Sequence, residues 1–341
     1  MPDDVAEPGS VRPRTIYLQL VLNWIRQRPG ARLLPLAALT LGLLPITGCL
    51  SHTRSVPKTR PADIVMSVPL DQLLKQVDDQ YSSINSMTAT VQIVTSTGGS
   101  RLGEVKEYTS LSGYIIIGKP DQIRVILTLP VYGRVLDMVS DGKNFKMLVP
   151  PKSCAIIGAD QVANTSQKGL YSLRPAVILD SMLIRGMEDD EVVSRTQDIR
   201  VIENPKKKND LIEEPDYDLE FLSQPKGHVA RTLHVIHVSR ADLLPYQQDI
   251  YNDDGKVVTQ AFYSNYQKFG DVNFPSKIVI NRPLDELGLT ITISKSTFNQ
   301  QLPSDQFDLG PIPDNFAIQN MDDPASGATA PCAVHATQSP R

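Results

Sequence analysis

The length and composition of this chain allow a large folded domain and exclude some classes of partner. Its 341 residues are 41% hydrophobic and carry a formal net charge of −4. Nucleic-acid-binding surfaces are normally strongly basic, so nothing in this charge suggests nucleic acid as a partner. The length is enough for one large or two small domains that bury a sizeable core.

An apolar run with a basic flank lies near the start of the chain. Three arginines between positions 26 and 32 precede residues 33–44, which are mostly apolar. The run is shorter than the ~20 residues of a bilayer-spanning helix, and the pattern is typical of a secretory signal. Ile46-Thr47-Gly48-Cys49 then resembles a bacterial lipobox. We therefore predict a signal peptide with an extended N-region over 1–48 and lipidation of Cys49.

Composition divides the rest of the chain into three parts. Residues 49–66 are polar and contain proline, which predicts a flexible tether. Residues 67–320 contain the periodic segments of a folded domain, and residues 321–341 have the composition of a disordered tail. Once Cys49 is lipidated, only Cys154 and Cys332 remain. Because Cys332 lies in the tail, we expect free thiols, with a disulfide as the alternative in an exported protein.

Two segments have the pattern of helices. From Pro69 to Ile84 apolar residues recur at helical spacing on one face, and Ser67 is a candidate N-cap. This helix is amphipathic and must lie on something apolar. The segment from Leu173 to Ile184 is apolar on nearly all sides, which predicts a buried helix.

Most of the remaining domain has the period of two that is typical of strands. Between Ser86 and Val149 short turns join alternating segments, and such short connections predict an antiparallel meander. Residues 150–168 lose this period and are interpreted as a loop. The charge runs at 188–191 and 206–208 flank further weak strands. The second half repeats the pattern, with candidate strands at 216–222, 229–238, 246–251, 257–266, 272–281 and 287–297.

No catalytic or metal-binding motif is recognisable in the sequence. His234 and His237 point to opposite faces of any strand that contains both, and His228 lies roughly 20 Å from His234 on an extended chain, so we predict no metal site. Asp137 and Asp141 could imitate a catalytic pair, but a solvent contact and a turn explain them more simply. We expect a protein that is not an enzyme and has no cofactor.

The distribution of apolar residues predicts a mainly β fold in which helices cover the concave face of a curved sheet. For any one residue a filled core is the simpler interpretation. The alternative is a sheet too large to be filled, with a cavity for an apolar ligand. The cavity would be lined and covered by six ligand-binding residues: Leu127, Leu129, Phe145, Met147, Ile178 and Met182.

Short motifs along the domain resemble one known family. They comprise Tyr81–Ser86, Gly113–Pro120, Asp141–Phe145, and a closing segment from Leu302 to Pro313. Together they resemble the bacterial lipoprotein-carrier superfamily typified by LolA and LolB, over about residues 68 to 320. The long loops around Lys206 and Glu213 depart from its compact pattern. Because Cys49 is present, the resemblance is to the lipid-anchored, LolB-like member.

This resemblance implies a half-open antiparallel β-barrel whose apolar cavity holds the acyl chains of lipoproteins or other lipids. It also implies attachment to the outer membrane through lipidated Cys49, facing the periplasm, and a periplasmic carrier protein as a partner. In the lipid-anchored member an exposed apolar residue in one turn helps deliver cargo to the membrane. By position, Val131 and Tyr132 lie in the corresponding turn, for which an ordinary surface turn is the alternative.

Two functions remain open from the sequence. The first is a lipid-anchored acceptor or transfer factor in lipoprotein localisation, which binds acyl chains. The second is a non-transfer sensor or scaffold of the cell envelope, which uses the same fold to bind a partner protein or a membrane component.

Overall fold

A computed structural model describes residues 54–160, 174–204, 206–303, 305–323 and 332. The chain divides into two compact units, Met1–Pro57 and Lys58–Arg341, and all elements named below belong to the second. Cys49 and the run before it lie outside the described residues, so the signal peptide and the lipid anchor stay predictions. Within the described ranges, no helix is both long enough and apolar enough to cross a membrane.

Alternating apolar residues form sixteen strands in the described part of the chain, and these pair into one sheet. The strands are β1 (Thr59–Pro61), β2 (Ser86–Gly99), β3 (Glu104–Glu107), β4 (Leu111–Gly118), β5 (Gln122–Leu129), β6 (Gly133–Ser140), β7 (Asn144–Val149), β8 (Cys154–Ala159), β9 (Glu191–Glu203), β10 (Leu211–Ser223), β11 (Thr232–Ser239), β12 (Pro245–Tyr251), β13 (Val257–Phe269), β14 (Val272–Arg282), β15 (Leu287–Phe298) and β16 (Ala317–Asn320).

The sheet is open and almost entirely antiparallel. Its order is β1-β10-β11-β12-β13-β14-β15-β2-β4-β5-β6-β7-β8-β16, with β3 paired to β2 and β9 paired to β10. Only the two terminal pairs of this order, β1 with β10 and β16 with β8, are parallel among the described strands. Among the described strands, β1 and β16, which lie at the two ends of this order, do not pair with each other. The predicted class, a mainly β fold with a half-open antiparallel sheet, is confirmed.

Two α-helices lie in the described residues, α1 (Leu70–Ser82) and α2 (Pro175–Met182). The contacts of α2 show that the sheet is curved, because this one short helix touches β14 and also β5 and β6. Five strand steps separate β14 from β6, which is about 24 Å in a flat sheet, whereas a helix is only about 10–12 Å across. The sheet must therefore bend around α2.

Helix α1 covers a different part of the sheet. Its Leu73 and Val77 are buried against Tyr217, Leu219 and other apolar residues of β10 and β11. The helix begins after Pro69, which is the N-cap residue, and no side chain caps this end with a hydrogen bond. The expectation that Ser67 caps this helix was therefore wrong.

Three strands lie where the sequence predicted none. Strand β8 occupies part of the predicted loop at 150–168, and its Ala155 and Ile156 are both buried. Strand β1 lies within the predicted tether, so regular structure begins before residue 67. Strand β16 pairs with β8 through a parallel register, which no local signal announces because its partner is 160 residues away in the chain.

The two cysteines of the domain are joined in a disulfide, Cys154–Cys332, with Cα atoms 5.8 Å apart. The expectation of free thiols was therefore wrong. Both residues belong to a small buried cluster with Phe145, Ile156 and Met321. The disulfide attaches the C-terminal segment to β8, which is also the strand that pairs with β16.

We predict that Cys332→Ser lowers the free energy of unfolding by about 2–4 kcal/mol, because the disulfide limits the freedom of the unfolded chain. Denaturant unfolding of the full-length protein measures this. Reductant should lower the midpoint of the wild-type protein and leave that of the variant unchanged. Equal midpoints of the wild-type protein with and without complete reduction would contradict the prediction.

Candidate functional site

The concave face of the sheet is an apolar surface built by strand alternation. In β5, Ile123, Val125 and Leu127 point to this face, and all three are buried. The same period places Ile115 and Ile117 of β4 beside them. The face continues through β2 and β15 to β13 and β14, and the residues of all these strands form a single cluster with α2.

Helix α2 lies on this face as an apolar plug. Ile178, Leu179 and Met182 are each exposed by only 2–3%, and all three belong to the main core cluster. Pro175 occupies the first turn, where its missing N–H costs nothing and its fixed φ favours a helical start. The segment provides no polar side chain of its own as a cap, so its polar ends depend on other parts of the chain.

Asp160 holds the N-terminal end of α2. Its Oδ1 accepts a hydrogen bond of 2.9 Å from the backbone N–H of Ala176, and the hydroxyl of Ser140 donates to its Oδ2. Burial raises the pKa of Asp160, against these hydrogen bonds, which favour the charged carboxylate. Asp160 therefore caps the helix from outside its sequence.

A buried arginine reinforces the same end. Arg174, directly before α2, forms a 2.9 Å ion pair with Asp322 and also donates to the carbonyl of Ala159. Its side chain is only 6% exposed. Asp322 also accepts a hydrogen bond from the Ala159 N–H, so the C-terminal segment beyond β16 is connected to the start of α2.

The C-terminal end of α2 is held at the rim by a half-exposed group of charges. Arg185 donates to Asp121 at 3.0 Å and to Asp180 at 3.1 Å. Burial raises the pKa of Asp180, and the charge of Arg185 opposes that shift. Both ends of the plug are thus tied by polar contacts, while its body makes apolar ones.

Among the described residues, little empty space remains beneath the helices. A cavity of about 20 Å³ remains between α1, α2 and the strands β13 and β14, lined by residues that include Tyr81, Met182 and Phe274. That volume is about enough for one water molecule, whereas small-molecule sites are typically 300–1,000 Å³. An acyl chain could therefore enter only if α2 or its neighbours moved.

The structure brings together three of the six predicted ligand-binding residues. Leu127, Ile178 and Met182 all belong to the main core cluster, and Met147 packs against its margin. Leu129 is half-buried at the end of β5. Phe145 instead belongs to the small cluster around the disulfide.

The predicted membrane-contact turn between β5 and β6 is the most exposed apolar site in the described residues. Val131 is 89% exposed and Tyr132 is 74% exposed. Neither residue is required for packing, which leaves both side chains available for contact with a membrane or a partner.

The acidic candidates have structural explanations. The sequence predicted a solvent contact for Asp137, and this prediction was wrong. The side chain is 1% exposed and forms ion pairs with Arg124 at 2.9 Å and Arg134 at 2.6 Å. Asp141 is a turn residue, as predicted, since its carboxylate accepts from the N–H groups of Lys143 and Asn144.

The two strand histidines lie on opposite faces of the sheet. His234 stacks on Phe221 on the concave side, with ring centroids 4.1 Å apart. His237 lies on the other side, 2.6 Å from Asp218 and 3.4 Å from Asp249. Burial lowers the pKa of His237, but these carboxylates outweigh burial and raise it to about 9. In the described part of the chain, no group of three or more His, Cys, Asp or Glu is arranged to hold a metal ion.

Sequence reasoning missed the polar ties of α2. Asp160, Arg174 and Arg185 contact residues that are remote in sequence, such as Asp322, so no local motif marks them. A partial signal exists, because Arg174 and Arg185 flank the apolar segment on both sides.

No known protein family and no curated protein matches the sequence. Among solved structures, the chain is similar to a LolA superfamily protein from Nitrosomonas europaea, with 16% identity, a TM-score of 0.45, and coverage of 71% of this chain and 98% of that one. It is also similar to a DUF1329 family protein from Desulfovibrio piger, with 15% identity, a TM-score of 0.45, and coverage of 71% and 97%.

We predict that Asp160→Ala loosens α2 by about 1 kcal/mol, as loss of a helix cap typically does. Asp160→Asn keeps an oxygen that can accept from the Ala176 N–H, so it should stay close to the wild-type protein. Hydrogen–deuterium exchange of the peptide over 175–182 measures the difference. If the exchange of this peptide in Asp160→Ala equals that in the wild-type protein, the contact does not hold the helix.

Proposed function

We propose that this protein is a lipid-anchored binding protein of the bacterial envelope that accepts acyl chains between α2 and the concave face. In this proposal it acts as an acceptor or transfer factor in lipoprotein localisation. The anchor is Cys49, the membrane is the outer membrane, and a periplasmic carrier supplies the cargo. The observation that carries the proposal is α2, an apolar plug whose ties to the rest of the chain are polar and lie at its ends.

The exchange of α2 for an acyl chain is close to balanced in free energy. The buried side chains Ile178, Leu179 and Met182 contribute about 1.5–3 kcal/mol each, or about 5–9 kcal/mol together. An acyl chain of about 14 methylenes gains about 11 kcal/mol at about 0.8 kcal/mol per buried methylene. A ligand chain therefore offsets the loss of these three buried side chains.

One polar atom makes the seated plug less stable than a fully apolar one. Ser181 is completely buried on α2, and its hydroxyl has no hydrogen-bond partner among the described residues. An unsatisfied buried hydroxyl costs about 1–3 kcal/mol. This cost favours release of α2 when a ligand competes for the concave face.

The proposed activity is binding rather than catalysis. The charges at both ends of α2 lie in ion pairs and capping contacts, which explain them without a reaction. The alternative function is a non-transfer sensor or scaffold that binds a partner with α2 permanently seated. The filled interior is the observation that favours this alternative, and the two functions differ in whether α2 leaves.

We predict that a photoreactive, diazirine-bearing palmitate probe labels the concave face of the full-length protein in its own membranes. Labelled peptides should contain Leu127, Met138 or Ile178, and Arg185→Ala should increase this labelling because it frees one end of α2. Mass spectrometry of the peptides measures the sites. Labelling confined to the outer face and the β5–β6 turn, unchanged by Arg185→Ala, would instead support the scaffold function.

We predict that replacing Val131 and Tyr132 together with Asp reduces delivery of a fluorescent lipoprotein into vesicles that carry the full-length protein. A reduction of about tenfold corresponds to about 1.4 kcal/mol of lost membrane contact, less than one large apolar side chain gains on burial. The melting temperature should not change, because both residues are exposed.

Leu102→Asp is the matched control for this double variant. Leu102 is 68% exposed and lies between β2 and β3, in another turn of the same sheet. It should leave delivery unchanged. A fall in the melting temperature of the double variant as large as that of a core substitution would show that the turn residues pack rather than meet a membrane.

A further inference from the structure

A second cavity, with four charged side chains in its lining, lies beside the apolar interior. Its volume is about 310 Å³, and the four residues, Asp180, Arg185, Glu188 and Glu191, line it together with residues of β11 and β12. Gln248 lines this cavity and accepts a 3.0 Å hydrogen bond from Tyr263, which lines the small apolar cavity under α2. A ligand that occupies both spaces must therefore have an apolar part and a polar end.

Glu191 is the unusual group in the lining of this cavity. Its side chain is only 8% exposed, yet no lysine or arginine of the described residues forms an ion pair with it. Its Oε2 accepts a 3.0 Å hydrogen bond from the backbone N–H of Glu188. Burial and the charges of Glu188 and Asp190 raise the pKa of Glu191. A buried carboxylate without a counter-charge is costly, which indicates a missing cation.

The neighbouring histidine does not provide that charge. His234 Nε2 lies 3.8 Å from Glu191 Oε1, beyond hydrogen-bond distance. Burial lowers the pKa of His234 to about 4, so the ring is neutral near pH 7. Its Nδ1 is buried and has no hydrogen-bond partner in the described part of the chain. A neutral imidazole has one acceptor nitrogen and one N–H donor. With the proton on Nδ1, the Nε2 that lies nearest Glu191 is the acceptor beside the carboxylate.

The single basic residue in the lining is already neutralised. Arg185 is shared between Asp180 and Asp121, at 3.1 Å and 3.0 Å. Those two carboxylates already outweigh the charge of Arg185, and Glu188 and Glu191 add further negative charge to the cavity. Its lining therefore favours a cation that donates several hydrogen bonds.

We propose that this cavity binds the primary ammonium group of an amphiphile whose chain lies under α2. The inference rests on the proposed acyl-binding function for the chain, and on Glu191 and His234 for the ammonium. A primary ammonium has three N–H donors, which suits a carboxylate and a neutral imidazole lying together. The volume of the cavity is at the lower end of the range for small-molecule sites, so it has room for a head group.

The test compares octylammonium, octanol and propylammonium as probes for the full-length protein in a nonionic detergent, by calorimetric titration. The wild-type protein should bind octylammonium more tightly than octanol. Glu191→Gln should weaken octylammonium binding at least about tenfold, because a hydrogen bond to a charged group contributes about 1.5–3 kcal/mol. Octanol binding should be unchanged. Each probe partitions equally into the detergent for all variants, so differences between variants report the protein.

Asp189→Asn is the matched control, since it removes an exposed carboxylate two residues from Glu191 that does not line the cavity. It should leave every affinity unchanged. Glu191→Gln removes an uncompensated buried charge, so its melting temperature should equal or exceed that of the wild-type protein. A melting temperature clearly below wild type would show that Glu191 is needed for packing and would overturn the assignment.

The probes separate failure of this inference from failure of the proposed function. Equal binding of octylammonium and octanol, insensitive to Glu191→Gln, overturns the ammonium site and leaves the chain site intact. Propylammonium binding that Glu191→Gln abolishes, with no binding of octanol, supports the ammonium site and contradicts the acyl site. Binding of none of the three probes overturns both.

Discussion

The need to cover the concave apolar face is the constraint on which the rest of the structure depends. A curved sheet whose strands alternate must place one set of side chains inside, and in β4 and β5 that set is isoleucine, valine and leucine. The sheet is open, and no further strand of the described residues closes over this surface. Helix α2 covers it, and this requirement explains why the segment is apolar on nearly every side. Such a helix has no stable position in water by itself.

The placement of charges follows from the same constraint. Burying an unpaired charge costs several kcal/mol, so the polar contacts that hold α2 lie at its two ends rather than along its body. Asp160 and Arg174 hold one end and Arg185 holds the other. The result is a helix with an apolar body and polar contacts at its ends; in the proposed function the body is exchanged for an acyl chain and the ends determine where the helix returns. The disulfide adds to this arrangement, because it attaches the segment that contains Asp322 to β8.

The sequence predicts those parts of the fold that depend on local period. The strands from β10 to β15 and the two helices follow from alternation and helical spacing, and their ends differ by a few residues. The edges of the sheet do not follow, because β1 and β16 are short, parallel and defined by partners more than 150 residues away. The same reason explains Asp137, whose burial depends on Arg124 across a strand pair, and Phe145, whose cluster depends on the distant Cys332. Periodicity predicts on which face of the sheet a side chain lies, but the residue that it contacts depends on how distant strands pair.

The two cavities together favour a ligand with an apolar chain and a charged end. Asp180 lies on α2, forms an ion pair with Arg185, and also lines the cavity that contains Glu191. In the proposed site, an ammonium bound at Glu191 lies in the same cavity as Asp180, and its positive charge weakens the attraction between Asp180 and Arg185. The proposed amphiphile therefore acts on both the polar contact at the C-terminal end of α2 and the apolar body of the helix. A simple hydrocarbon would act on the body alone, and this difference would be a physical basis for selecting one from the other.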